Sequence, residues 1–284
     1  MDVLAPLVAL VAAVASVRVR GGRLALWAVT WLGYRLRQHD DREPLHAVRV
    51  SSHGHGLGLA AVGDTWAAVV RLSDGHHAAV AAAVRVLRAV YRQTEVPLVS
   101  AQLVRWSGSG GPVCWVVVRY RAAEAPFAAR LRGGGERGAQ RATLAAASLL
   151  TDLLAAAGAR GTVLTAEELS DDLLRALGAG DGIRGVETWR SWSDGGLAQA
   201  CFRPARSPGP VPVFTATAPG AVFTAVSLTL RGAPSGTPRE DLVVRFGLRP
   251  GESAERVAAG FGVPLVPLHG RHRPYLRRTL PLAL

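Results

Sequence analysis

The run 113–118 (VCWVVV) constrains the fold of this chain more than any other feature. Apolar residues rich in β-branched side chains favour a strand. Neighbouring side chains of a strand point to opposite faces. Both faces of this strand therefore need cover, as in a central strand with a layer on either side. The stretch 96–105 reads as its partner, joined to it through Ser107-Gly108-Ser109-Gly110-Gly111-Pro112 as a hairpin-like connection. A third strand is expected over 66–72 (WAAVVRL), after a turn at 53–58 (HGHGLG).

Helices are expected between these strands. Val80, Val84, Leu87 and Tyr91 recur at helical spacing within 76–91. A long helix over 138–157 carries the stripe Leu149, Leu150, Leu153, Leu154 and Ala157, and Gly158 stops it. Thr165 with Glu168 three residues later predicts a capping box, opening a helix to Leu177. The second half repeats the mixture. Strands over 186–192 and 197–203 flank Asp194-Gly195-Gly196, and a proline-rich loop follows over 204–212. Two further strands alternate cleanly. Val226, Leu228 and Leu230 oppose Ser227, Thr229 and Arg231; Val244, Phe246 and Leu248 oppose Arg245, Gly247 and Arg249. Such patterns predict strands with one face in solvent. A short helix is expected over 253–261. The reading is a mixed α/β (α+β) domain. It divides into two related subdomains, 38–178 and 179–284, although no repeat is visible in the sequence.

The segment 3–17 has no charge. As a helix it would be about 22 Å long, short of the roughly 30 Å hydrocarbon core of a bilayer. Arg18, Arg20 and Arg23 follow at once, and a second apolar stretch, 24–34, is closed by Arg35 and Arg37. A signal peptide would carry its positive charge before the apolar run, where this chain has Asp2. A short transmembrane helix fits the charge order, with the arginines on the cytoplasmic side and the N-terminus outside. Arginine snorkelling lengthens the effective span. A buried helix of a soluble protein is the remaining reading. Trp27, Trp31 and Tyr34 fall at i, i+4 and i+7 on one helical face. That face suits the membrane interface, flanked by arginines that suit anionic headgroups. The alternative is that it packs on the protein's own domain. Residues 1–37 are thus expected to form a membrane anchor and a juxtamembrane amphipathic helix.

Composition narrows the chemistry. With 33 basic and 21 acidic residues the formal charge is +12, and every basic residue is arginine. A GC-rich coding bias explains arginine over lysine, which leaves the charge as weak support for nucleic-acid binding. No nucleic-acid partner is expected. The missing lysine excludes a Walker-type ATPase and Schiff-base chemistry. Two cysteines, Cys114 and Cys201, exclude a disulfide framework and a four-cysteine zinc site, and read as buried free thiols. Six of the eight histidines come as pairs, His53/His55, His76/His77 and His269/His272, without H-E-x-x-H. Glu167, Glu168, Asp171 and Asp172 complement a helix dipole. His269, Arg271, His272, Arg273, Arg277 and Arg278 read as a solvated or partner-facing strand. No catalytic, cofactor or metal-binding residue is assigned.

The loop Gly133-Gly134-Gly135-Glu136-Arg137-Gly138 matches G-x-G-x-x-G and opens a helix, with Arg130, Arg132 and Arg141 around it. Helix N-termini attract anions. A dinucleotide site needs a strand immediately before the loop. Here 122–132 intervene, with Pro126 among them. Arg132, Gly133, Gly134, Gly135, Arg137, Gly138 and Arg141 are therefore candidates for an anion or partner contact, with a tight turn favoured over a nucleotide or nucleotide-sugar site.

The segments GDTWAAVVRL (63–72), VPLVSAQLV (96–104), WVVVRY (115–120) and RLRGGGERGAQRATLAAASLL (130–150), with VSLTLR (226–231) and TLPL (279–282), resemble the EccE component of actinobacterial type VII secretion systems. The resemblance implies a non-enzymatic subunit of an inner-membrane secretion complex, assembled with EccB, EccC and EccD components. It also implies two N-terminal membrane helices before a cytosolic domain. Only one apolar segment precedes the domain here, so the first helix is expected to be missing from this start.

Overall fold

The protein is described by a computed structural model covering residues 18–19, 22–36, 40–41, 48–53, 56–92, 95–178, 185–193, 196–206, 209–232 and 238–284. The described residues begin with β1 (Arg18–Val19), β2 (Gly22–Arg23), α1 (Leu24–Arg35) and β3 (Asp40–Asp41). Then come β4 (Val48–His53), β5 (Leu57–Val62), β6 (Thr65–Leu72), α2 (His77–Tyr91), β7 (Ser100–Gly108) and β8 (Gly111–Arg121). Next are α3 (Pro126–Arg130), α4 (Gly135–Ala156), β9 (Gly161–Val163) and α5 (Ala166–Leu177). The second half holds β10 (Gly185–Glu187), β11 (Trp192–Ser193), β12 (Ala198–Pro204), α6 (Pro210–Thr215), β13 (Phe223–Arg231) and β14 (Arg239–Leu248). It closes with α7 (Ala254–Ala259), β15 (Leu265–Pro267) and α8 (His272–Arg277).

Strands β3 to β15 form one sheet of thirteen strands, and every ladder in it is antiparallel. Its order is β3-β10-β11-β12-β14-β13-β7-β8-β6-β5-β4. The seam is β7 against β13, from Ser100 opposite Arg231 to Ser107 opposite Thr224. Outward from it, β7-β8-β6-β5-β4 is matched strand for strand by β13-β14-β12-β11-β10. Strand β9 pairs with β6 as β15 pairs with β12, each through three residue pairs. Arg71 is the middle residue of the first short ladder and Arg203 of the second. This topological repeat is carried by pairing and register, not by similar residues, so the sequence does not display it.

The VCWVVV strand is central and covered on both sides. Val116 and Val118 join the core beneath α2 and α4. Trp115 and Val117 join a second core with Leu169 and Leu173 of α5, Tyr275 and Leu276 of α8, and Leu280 and Leu282. That second layer overturns the expectation of half-solvated strands in the second half. Ser227, Thr229 and Arg245 are all buried, because α5, α8 and the residues after α8 lie on the face they share. The segment 269–278 is likewise not a strand: α8 is a helix, with His272 and Tyr275 buried. The loop expected over 204–212 contains the start of α6, and the turn expected over 53–58 gives way to β5 at Leu57.

The polar residues on the second face bind backbone. Gln102 donates from Nε2 to the carbonyl of Arg278 at 2.7 Å and accepts from the Ala283 amide at 2.7 Å. Ser227 donates to the same Arg278 carbonyl at 2.8 Å. Arg245, fully buried, donates to the Leu177 carbonyl at 3.0 Å and also to Ala176 and Gln199. Its charge thus meets the negative end of the α5 dipole, and burial pulls its pKa down to about 10.

The uncharged segment 3–17 lies outside the described residues. Among the described residues no helix is long and apolar enough to cross a membrane.

Candidate functional site

Helix α1 lies on the body of the domain through one edge. Trp27 and Tyr34 meet the Trp189 ring edge-on at 5.6 and 5.5 Å, and Trp189 stacks on His269 at 5.8 Å. Between them Thr30 accepts a hydrogen bond from Arg271 at 2.6 Å. Tyr34 also donates to the Glu187 carbonyl at 3.4 Å. Residues 27, 30 and 34 are one helical stripe, and Val29, Leu32 and Leu36 lie nearly opposite. Those three are 67, 53 and 78 % exposed. Trp31 sits at the flank with the Arg35 guanidinium 5.2 Å from its ring. The face expected from Trp27, Trp31 and Tyr34 is therefore divided: two of its aromatics turn toward the domain and one stays outside. Trp189 and His269 decide this, and both come from the second half of the chain. The outward residues Val29, Leu32 and Leu36 were missed, although their i, i+3, i+7 spacing was readable. Arg18 and Arg23 sit opposite each other in the β1–β2 pair, while Arg20 and Arg37 lie outside the described residues.

The glycine loop joins two helices. Helix α3 ends at Arg130 and α4 opens at Gly135, so no strand feeds the loop. Gly133, Gly134 and Gly135 take φ of +101°, +69° and +57°, a left-handed run open to glycine without strain. The amides of Gly133 and Gly134 are spent on the carbonyls of Arg130 and Ala129 at 3.2 and 2.9 Å. Gly138 is where α4 crosses α3: a Cβ there would stand 2.3 Å from the Ala129 carbonyl oxygen. Arg132 donates to the Ala128 carbonyl at 3.1 Å and pairs with Glu95 at 3.1 Å. Arg141 donates to the Arg132 carbonyl at 3.2 Å. Both arginines thus brace the corner. Arg137 is exposed and has no ion pair among the described residues. Beside the corner stand Phe127 and Leu131, both largely exposed. Sequence reading missed them, because Pro126 and the absence of a longer periodic stretch hid helix α3.

The acidic helix start separates into two jobs. Thr165 and Glu168 form the expected capping box, with bonds of 3.2 and 2.9 Å. Asp172 is instead fully buried. Its Oδ2 accepts from Trp115 Nε1 at 2.6 Å and from Arg71 Nε and Nη2 at 2.7 Å each. This carboxylate clamps α5 to strands β6 and β8. In the matching position, Arg203 lies 4.7 Å from the Tyr275 ring of α8 and pairs with Asp241 at 2.9 Å.

Neither thiol is poised for chemistry. Burial pushes Cys114 up to about 11 and Cys201 up to about 12. His272 is held down at about 3, chiefly by burial and next by the neighbouring His269. Its Nδ1 accepts from the Cys201 amide at 3.0 Å, so a neutral ring carries its proton on Nε2. Among the described residues no group of three His, Cys, Asp or Glu side chains could hold a metal ion.

The described chain is thus an antiparallel-sheet protein with helices on both faces, internally repeated, carrying an aromatic-docked N-terminal helix. Residues 112–203 match the EccE family model, described as "Putative type VII ESX secretion system translocon, EccE". The resemblance to EccE is shown over that segment, which runs from β8 into β12 and includes the glycine corner and the Asp172 clamp. No curated protein matches the chain.

Proposed function

We propose that the chain is a non-enzymatic structural subunit of an inner-membrane type VII secretion complex. The observation that carries this reading is the EccE match across 112–203. The N-terminal region, with 3–17 as its anchor, attaches the protein to the plasma membrane, the N-terminus outside and the sheet domain in the cytoplasm. Helix α1 lies at the bilayer surface with Val29, Leu32 and Leu36 toward the acyl boundary and Trp31 and Arg35 at headgroup level. The stretches 38–178 and 179–284 act as two subdomains of one platform. Subunits of the EccB, EccC and EccD type bind it. The exposed Phe127 and Leu131, with the exposed Arg130 between them in the sequence, suit a partner with an apolar spot and acidic border.

Affinity purification of the tagged chain from its native host tests the role. Co-purification of the three partner types is expected, and their absence under mild detergent would sink it. Leu32→Asp with Leu36→Asp should cut sedimentation with anionic vesicles at unchanged melting temperature; undiminished sedimentation would remove α1 from the membrane. A nucleotide or nucleotide-sugar site at 133–138 has less support, because a helix precedes the loop and two of its arginines are engaged.

A further inference from the structure

A groove of about 520 Å³ opens between the β7–β8 turn and the loop 216–222. Two arginines line it, Arg105 from β7 and Arg249 just beyond β14, and no acidic residue does. Some arginines of this chain are met by carboxylates, as Arg88 is by Glu240 at 2.7 Å and Arg203 by Asp241 at 2.9 Å. Among the described residues no carboxylate pairs with Arg105 or Arg249. Glu252 lies against Gly220, outside the lining.

Four hydroxyl residues also line it, Ser107, Ser109, Thr217 and Thr224, among glycine, proline, alanine and valine. None of these four side chains makes a hydrogen bond among the described residues. Ser107 Oγ is buried, which leaves Ser109, Thr217 and Thr224 to offer hydroxyls to the groove. The volume suits a small molecule rather than a protein interface. Guanidinium groups favour phosphate oxygens through charge-assisted, often bidentate bonds, and hydroxyls favour other hydroxyls as neutral donors and acceptors.

We propose that this groove binds a phosphorylated polyol, its phosphate held by Arg105 and Arg249 and its hydroxyls by Ser109, Thr217 and Thr224. The ligand can be a soluble sugar phosphate or the headgroup of a phosphorylated polyol lipid. The site is separate from the glycine corner and from α1, and stands whether or not the secretion role holds.

Calorimetric titration of the full chain at low salt, with inorganic phosphate, glucose 6-phosphate and phosphatidylinositol vesicles, tests it. Glucose 6-phosphate should bind more tightly than inorganic phosphate. Arg249→Gln, on an exposed side chain, and Arg105→Gln should each weaken it about tenfold, the loss of one charged hydrogen-bonding group. Thr217→Ala should narrow the gap between glucose 6-phosphate and inorganic phosphate. Arg141→Gln, in the glycine corner, should change nothing. Vesicle binding that glucose 6-phosphate cannot displace, yet Arg249→Gln abolishes, assigns the ligand to the lipid source. No heat at millimolar ligand, equal affinity in the Arg105→Gln/Arg249→Gln double variant, or loss on Arg141→Gln would overturn the site. Binding of an acidic peptide alone would overturn it too, in favour of a protein partner.

Discussion

Replacing Asp172 by asparagine keeps the shape of the α5 clamp and removes its charge. In the native protein the carboxylate is fully buried, and three donors from Arg71 and Trp115 reach one oxygen at 2.6 to 2.7 Å. Arg175 adds a longer contact of 3.4 Å to the other oxygen. Breaking a buried ion pair from one side costs about 3–5 kcal/mol, because the remaining charge is left uncompensated. The Arg71 side chain is 31 % exposed, so water recovers part of its solvation and the lower end, about 3 kcal/mol, applies. At about 2.1 cal/mol/K per residue, 284 residues give an unfolding entropy of about 0.6 kcal/mol/K, so the melting temperature should drop by about 5 °C. Scanning calorimetry of Asp172→Asn reads this directly. Asp171→Asn, one residue earlier on the exposed side, is the control and should shift it by less than about 1 °C. Removing both charges with Arg71→Met and Asp172→Leu should recover part of the loss, since no orphan charge then remains. A shift of Asp172→Asn no larger than that of the control would refute the clamp.

His272 predicts acid sensitivity. Its folded pKa of about 3 lies below the ordinary 6.5, so between these values the unfolded chain binds the extra proton. The stability it contributes is full above about pH 6.5 and falls with pH, by about 2 kcal/mol at pH 5. His272→Gln should flatten the pH dependence of the melting temperature over pH 5 to 7, and an unchanged slope would count against the assignment. Gly138→Ala normally gains helix propensity, yet here its methyl meets the Ala129 carbonyl, so a net loss of about 1–3 kcal/mol is expected by denaturant titration. Cys114 and Cys201 should resist maleimide at pH 8 in the folded protein and react on unfolding; rapid native labelling would contradict their burial.

Much of the local structure was legible. The capping box at Thr165, the strand 113–118 and the helices after His76 and around Leu150 follow from spacing and side-chain shape, which act over a few residues. The EccE resemblance was legible too, since an ordered set of short segments survives without any knowledge of the fold. The corner at 133–138 could be read as a turn, because three successive glycines permit a left-handed run that few other residues accept.

The tertiary structure decided which faces those elements bury. Alternation in β14 placed Arg245 with the solvent-facing set. Only the arrival of α5, with its carbonyl-rich end against the sheet, makes burial of that guanidinium tolerable. In the same way Trp189 divides the aromatics of α1, and Trp115 and Arg71 turn Asp172 from a dipole partner into a clamp. Sequence determines hydrophobic period and caps because these depend on neighbours along the chain. How the two halves meet depends on contacts more than a hundred residues apart, as Ser100 meets Arg231 across the seam. The seam between β7 and β13, about which the order is mirrored, lies in that second category.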